Sequence, residues 1–137
     1  PYVVKGMDMG FGGILTNAKT KFKSGKYSIE QICYSIEETV YAMLCEVTER
    51  ALAHCGKDEV LLGGGVACAP RLQKMARTMC EERGAKCYVL EPQYNVDNAA
   101  MITWTGILMY CAGVKHKVED MSIDPYLRTD DVEVIWR

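Results

Sequence analysis

The residues best placed to do chemistry are three consecutive glycines, Gly63-Gly64-Gly65, between the apolar run Glu59-Val60-Leu61-Leu62 and a stretch of helical spacing that starts at Pro70. Glycines let backbone approach a phosphate closely, and a helix N-terminus offers unpaired N–H donors, so a strand, glycine turn and helix in that order suit a nucleotide phosphate. No Gly-Lys-Ser/Thr follows, which excludes a Walker A loop, and the spaced glycines and downstream acid of a dinucleotide fingerprint are absent. On spacing alone, phosphate binding and a tight turn that merely permits close packing are both open. A second polar stretch, Tyr94-Asn95-Val96-Asp97-Asn98, follows the next strand at the edge where α/β proteins bind ligands. Asp97 there is either a carboxylate ligand for a cation or a helix N-cap.

Other reactive types carry less. His54 falls in the last turn of a long helix, where its charge favours the helix dipole, and His116 lies among lysines in a loop. Glu37 and Glu38 either face a ligand or, as Glu49 and Arg50 nearby suggest, line a solvated helix face, and Met43, Met75, Met79, Met101 and Met109 read as core filling. Neither Ser-His-Asp nor Cys-His catalysis has a local signature. The cysteines at 33, 45, 55, 68, 80, 87 and 111 include no CxxC pair, so a zinc knuckle is not expected.

The elements that must position these residues follow from periodicity. Apolar residues at steps of three and four from Ile29 to Cys55 predict one long helix, opened by a Ser28/Gln31 capping box and stopped by Gly56. Glu59–Leu62 and Lys86–Leu90 are strand candidates, a helix runs from Pro70 to Gly84, and an apolar helix opens at Asp97 and ends at Gly113. Residues 1–27, rich in glycine and lysine, read as loop. Strands alternating with helices favour a parallel sheet, so residues 28–113 form an α/β core followed by a tail at 114–137.

The 137 residues suffice for one domain with a real core, and 49% apolar with 25% charged residues excludes a disordered or low-complexity chain. The net charge of −2 excludes a uniformly basic nucleic-acid-binding surface. The charge is nonetheless segregated. Lys5, Lys19, Lys21, Lys23 and Lys26 face only Asp8 at one end, which reads as an ordinary solvated loop or as an approach to RNA, while residues 119–137 hold six acids against Arg128 and Arg137. With no secretory signal and no long apolar run, the expectation is a soluble protein of the cytoplasm and nucleus with reduced thiols and no membrane association. A chain that starts Pro1-Tyr2-Val3-Val4 reads as a fragment.

The segments Lys5–Thr16 (KGMDMGFGGILT), Ser35–His54, Gly63–Gln73 (GGGVACAPRLQ), Val96–Ile102 (VDNAAMI) and Tyr126–Trp136 closely resemble, in order and spacing, the catalytic-subunit family of tRNA N6-adenosine threonylcarbamoyltransferase, in its eukaryotic and archaeal branch, also called the O-sialoglycoprotein endopeptidase or glycoprotease family. The resemblance implies an actin-like, sugar-kinase-type ATPase fold of two lobes, related to RNase H, of which this chain would be the C-terminal one. It implies transfer of a threonylcarbamoyl group from adenylate to the exocyclic amine of an adenosine beside the tRNA anticodon. The implied partners are tRNA, a small kinase, other subunits of the complex and the N-terminal lobe. It implies one divalent metal, iron or zinc, held by Asp97 with two histidines of an H-x-E-x-H segment in the other lobe, and an adenine nucleotide or threonylcarbamoyl-adenylate against Gly63, Gly64, Gly65 and Ala69.

Two departures stand out. Ala69 replaces the family's usual Asn, and Gly10 and Gly12 replace serines. They leave room for a different class of function, a noncatalytic scaffold lobe in the same complex. A metalloendopeptidase is disfavoured, since the chain supplies no protease zinc motif. The isolated chain is expected to be inactive, because it would hold one metal ligand and one wall of the nucleotide site.

Overall fold

The computed structural model describes every residue except Asp97, Thr129, Asp130 and Arg137. It divides into two compact units, Pro1–Val96 and Asp97–Arg137.

The first unit opens with a small antiparallel hairpin, β1 (Val4–Lys5) and β2 (Asp8–Met9). Helix α1 follows at Gly12–Lys23, where a loop was expected from the glycines. The two glycines sit at the helix start, where they cost little. Beyond them Ile14 is buried and Ala18, one turn on, is half-buried, and lysine is a good helix former. Gly25, at φ +64°, lets the chain leave the helix in the left-handed region.

Helix α2 spans Ile29–Cys55, as the periodicity predicts. Its capping box is complete: the Gln31 N–H donates to Ser28 Oγ at 3.3 Å and the Ser28 N–H to Gln31 Oε1 at 3.0 Å. Gly56, at φ +60°, ends it. Strand β3 (Glu59–Leu62), helix α3 (Pro70–Glu82) and strand β4 (Lys86–Val89) then form a β-α-β unit. The strands pair in parallel, with Val60 opposite Cys87 and Leu61 opposite Tyr88. This alternation puts Val60 and Cys87 inward, where they pack with Leu52 of α2 and Cys80 of α3. Leu61 and Tyr88 on the other face are 63% and 48% exposed.

Two ion pairs join α2 to α3. Arg71 grips Glu38 with both arms, Nε to Oε1 at 2.5 Å and an Nη to Oε2 at 2.6 Å, and Arg83 reaches Glu49 at 3.1 Å. Each pair lies about three turns along its helix from the other, so the helices run in the same direction. Glu38 is therefore a helix tie and not part of a free solvated face. The hairpin is anchored to α2 as well: Tyr2 hydrogen-bonds Glu46, and Arg50 donates to the Gly6 carbonyl at 2.7 Å. Among the predicted core methionines, Met43 is fully buried, Met75, Met79 and Met109 are half-buried, and Met101 is exposed.

In the second unit α5 covers Ala99–Cys111, and its cap is Asn98, whose side chain accepts from the Ala100 N–H at 2.9 Å. No residue of this apolar helix is buried. Among the described residues no helix is long and apolar enough to cross a membrane.

The Arg71 guanidinium holds the Glu38 carboxyl below its ordinary range, mainly by hydrogen bonding. A group whose folded pKa is depressed contributes stability above its unfolded pKa and loses it as pH falls through the folded value. Chemical denaturation of wild type and Glu38→Gln across acid pH checks this. The difference between them should be present at neutral pH and vanish below the ordinary carboxylate range, and Arg71→Lys, which lacks the fork, should behave like Glu38→Gln.

Candidate functional site

The glycine turn lies at the carboxyl end of β3. The chain leaves the strand at Leu62 and turns through Gly63 and Gly64. It then makes a 3-10 turn over Gly65–Cys68 before Pro70 starts α3. Gly64 has φ +94° and ψ 165°, a backbone region open essentially to glycine alone. Three hydrogen bonds set the shape: Ala67 N–H to Gly64 O at 3.0 Å, Ala69 N–H to Val66 O at 3.0 Å, and the Gln73 side-chain Nε2 to Ala67 O at 2.7 Å. The Gln73 bond was not anticipated from sequence. It reaches back from the first turns of α3 and holds the carbonyl of Ala67, itself buried.

Gly63, Gly64, Gly65 and Val66 are exposed, and a Cβ built on any of the three glycines meets no atom within 4 Å. The turn thus presents exposed backbone at the carboxyl end of the strand, the edge where ligands of α/β proteins bind. Close packing against protein, the alternative reading of the glycines, is not what the turn does. Ala69 is half-buried, extended at φ −69°, and caps α3 without a side-chain bond. Pro70 occupies the first helical position, where its missing N–H costs nothing.

A short helix, α4 (Pro92–Asn95), packs against the 3-10 turn. Asn95 is its buried member, 5% exposed; its Nδ2 donates to Leu90 O at 2.8 Å, while its Oδ1 is buried with no partner among the described residues. Sequence reasoning placed Asn95 in a polar run but did not distinguish it. A Pro-led turn ending in Asn was the available signal. Asp97, the predicted metal ligand, lies outside the described residues. The helix cap proposed for it belongs to Asn98.

Among the described residues no three His, Cys, Asp or Glu side chains gather to hold a metal. His54 and His116 are exposed, the former in the last turn of α2 as expected. All seven cysteines are free. Burial pushes the Cys45 and Cys80 thiols up, with Cys87 beside them as a further cause, so neither is an activated nucleophile. Gly10 and Gly12 do not have positive φ, and a Cβ meets only ordinary contact with Val3 at Gly10 and nothing at Gly12. Serine would fit at both, so the local fold does not explain glycine there.

The geometry separates the three glycines. Gly64→Ala forces the backbone out of its conformation and should cost about 1–3 kcal/mol of stability. Gly63→Ala and Gly65→Ala should leave the melting temperature of the full-length protein unchanged while placing a methyl group on the exposed face of the turn. Thermal unfolding with nucleotide titration on the same samples distinguishes the two behaviours.

A profile of the TsaD family, tRNA N6-adenosine threonylcarbamoyltransferase, matches residues 1–104. Curated relatives named tRNA N6-adenosine threonylcarbamoyltransferase include that of Thermococcus kodakarensis, 53% identical over 99% of this chain, and that of Rattus norvegicus, 48% identical over all of it. A protein of Methanosarcina mazei named probable bifunctional tRNA threonylcarbamoyladenosine biosynthesis protein is 52% identical over 99% of the chain and 24% of its own length. The chain spans 42% of the length of the Thermococcus and rat proteins. Matched over most of its length by the family profile, the chain belongs to the TsaD family.

Proposed function

We propose that this chain is the C-terminal lobe of a tRNA N6-adenosine threonylcarbamoyltransferase with an actin-like, two-lobed ATPase fold, and that its glycine turn forms one wall of the adenylate site. The observation that carries this reading is the open turn itself. Three glycines stand at the carboxyl end of a parallel strand with unobstructed space at each Cα, in a chain of this family.

In the transfer, the N6 amine of adenosine attacks the carbamoyl carbon of threonylcarbamoyl-adenylate. The new C–N bond replaces the C–O bond to phosphate, AMP leaves with that electron pair, and the amine gives up a proton. The Gly63–Val66 backbone would orient the nucleotide, with Gly64 setting the direction of its neighbours' peptide groups and the Gln73 bond to Ala67 keeping the turn in one shape. Ala69 offers only a methyl group toward the adenylate, so its contribution is contact without a side-chain hydrogen bond.

The described residues do not by themselves gather the side chains of a metal site. Asp97 would supply one hard oxygen ligand, with histidines from the rest of the protein, to a divalent ion such as iron or zinc. Such an ion, when bound, supplies positive charge beside the phosphate and carbonyl oxygens. The partners in this reading are tRNA, a small kinase and further subunits of the biosynthesis complex, and the compartments are cytoplasm and nucleus. A noncatalytic lobe is the second reading, favoured by Ala69, Gly10 and Gly12.

Transfer of labelled threonine to unmodified tRNA by the full-length protein, supplied with ATP, bicarbonate and its partner subunits, tests the proposal. Wild type should label the tRNA, and Asp97→Ala should lose at least about 100-fold of that activity. No label from wild type beside a working relative would favour the noncatalytic lobe.

A further inference from the structure

We propose that the outer face of α1, carrying Lys19 and Lys23 and continued by Lys26, is a docking surface for the phosphate backbone of the tRNA substrate. The inference rests on the transferase reading and adds to it a place where the RNA lies.

Residues 1–27 carry five lysines against Asp8 in a chain whose net charge is −2, so the rest of the protein is acidic and the positive charge is concentrated. The structure converts that composition into a surface. Because α1 is helical, its sides are distinct: Ile14, Ala18 and Lys21 line a cavity shared with Ile32 and Ile36 of α2. Lys21 is committed further, with its ammonium 4.7 Å from the Tyr27 ring centroid. Lys19 and Lys23, one turn apart, lie on the other side of the helix and are exposed, and Lys26 is exposed two residues after the helix's Ser24 cap.

Charge pairing points the same way. Every ion pair among the described residues uses an arginine, and none uses a lysine of this segment. Helix α1 contains no acidic residue to neutralise them. The helix dipole accounts for cations in the last turn, where Lys21 and Lys23 sit, but not for Lys19 or Lys26. Exposed lysines outside the ion pairs of an otherwise acidic protein attract a polyanion, and point-charge lysines suit phosphates met along the backbone without sequence reading.

The test uses the full-length enzyme assembled with its partner subunits, as wild type, as Lys19→Gln/Lys23→Gln/Lys26→Gln, and as the same three sites changed to Arg. Equilibrium binding of unmodified tRNA is measured across salt concentration, and transfer kinetics in parallel. Each lysine that meets a phosphate contributes about one unit to the slope of log affinity against log salt. The Gln variant should lower that slope by about two to three. It should also raise KM for tRNA at least about fivefold at low salt, with kcat and the KM for ATP unchanged. The Arg variant should retain the wild-type slope.

An unchanged slope and KM would overturn the proposal. So would a Gln variant that fails to assemble with its protein subunits yet binds tRNA normally, since the face would then meet an acidic protein. Failure of wild type to transfer would contradict the transferase reading, while the binding slopes would still decide the role of the lysines.

Discussion

The direction the chain takes at Gly64 governs what this protein can present. Strand β3 is four residues long, and the helix that follows must fold back to deliver β4 in parallel beside it. The reversal is made where φ is +94° and ψ is 165°, which no side-chain-bearing residue holds without strain. Because the turn is achieved by backbone conformation and not by side-chain packing, nothing fills the space over Gly63, Gly64 and Gly65. The same constraint that closes the β-α-β unit therefore leaves exposed backbone at the strand edge. The hydrogen bonds of Ala67, Ala69 and Gln73 keep the constraint local to the turn.

Helices α2 and α3 pack on each other and against β3 and β4. Leu52, Val60 and Cys80 form a small core with Leu62, Met79, Ala85 and Cys87 around it. So small a cluster gives little hydrophobic stabilisation by itself, and polar ties add to it: the two arginine bridges between the helices, the capping box at Ser28 and the Arg50 contact to the hairpin. Most of these lie at the surface, where each adds only a modest amount, yet together they set the relative placement of helices that the core alone would hold loosely. Cys80, fully buried in this core, adds apolar volume, and its burial pushes the thiol pKa up.

Much of this was legible in the sequence, for physical reasons that can be named. Helix α2 announced both ends, through Ser28 with Gln31 and through Gly56, and its bounds match the structure. The β3-glycine-Pro70 sequence identified strand, turn and helix, because each relies on a residue with one dominant conformational effect. Helix α1 was missed because its glycines and lysines outweighed the Ile14–Ala18 spacing, although glycine in a first turn costs little. The Glu38–Arg71 fork spans 33 residues and has no local signature, and the conformation of Gly64 is set by the tertiary demand to bring β4 alongside β3. Asn95 is likewise a product of packing, since the contact of α4 with the 3-10 turn is what buries it. The family resemblance alone carries the proposals that periodicity does not reach, a metal ligand at Asp97 and an adenine nucleotide.

The central claim is that the exposed glycine turn receives the adenylate. Hydrogen exchange of the full-length enzyme, with and without saturating nucleotide, tests it at the backbone itself. Protection confined to the peptides that cover Gly63–Cys68 and the start of α3, against unchanged exchange in the core of α2, is the predicted result. Equal exchange of those peptides in the free and the nucleotide-saturated enzyme would contradict it.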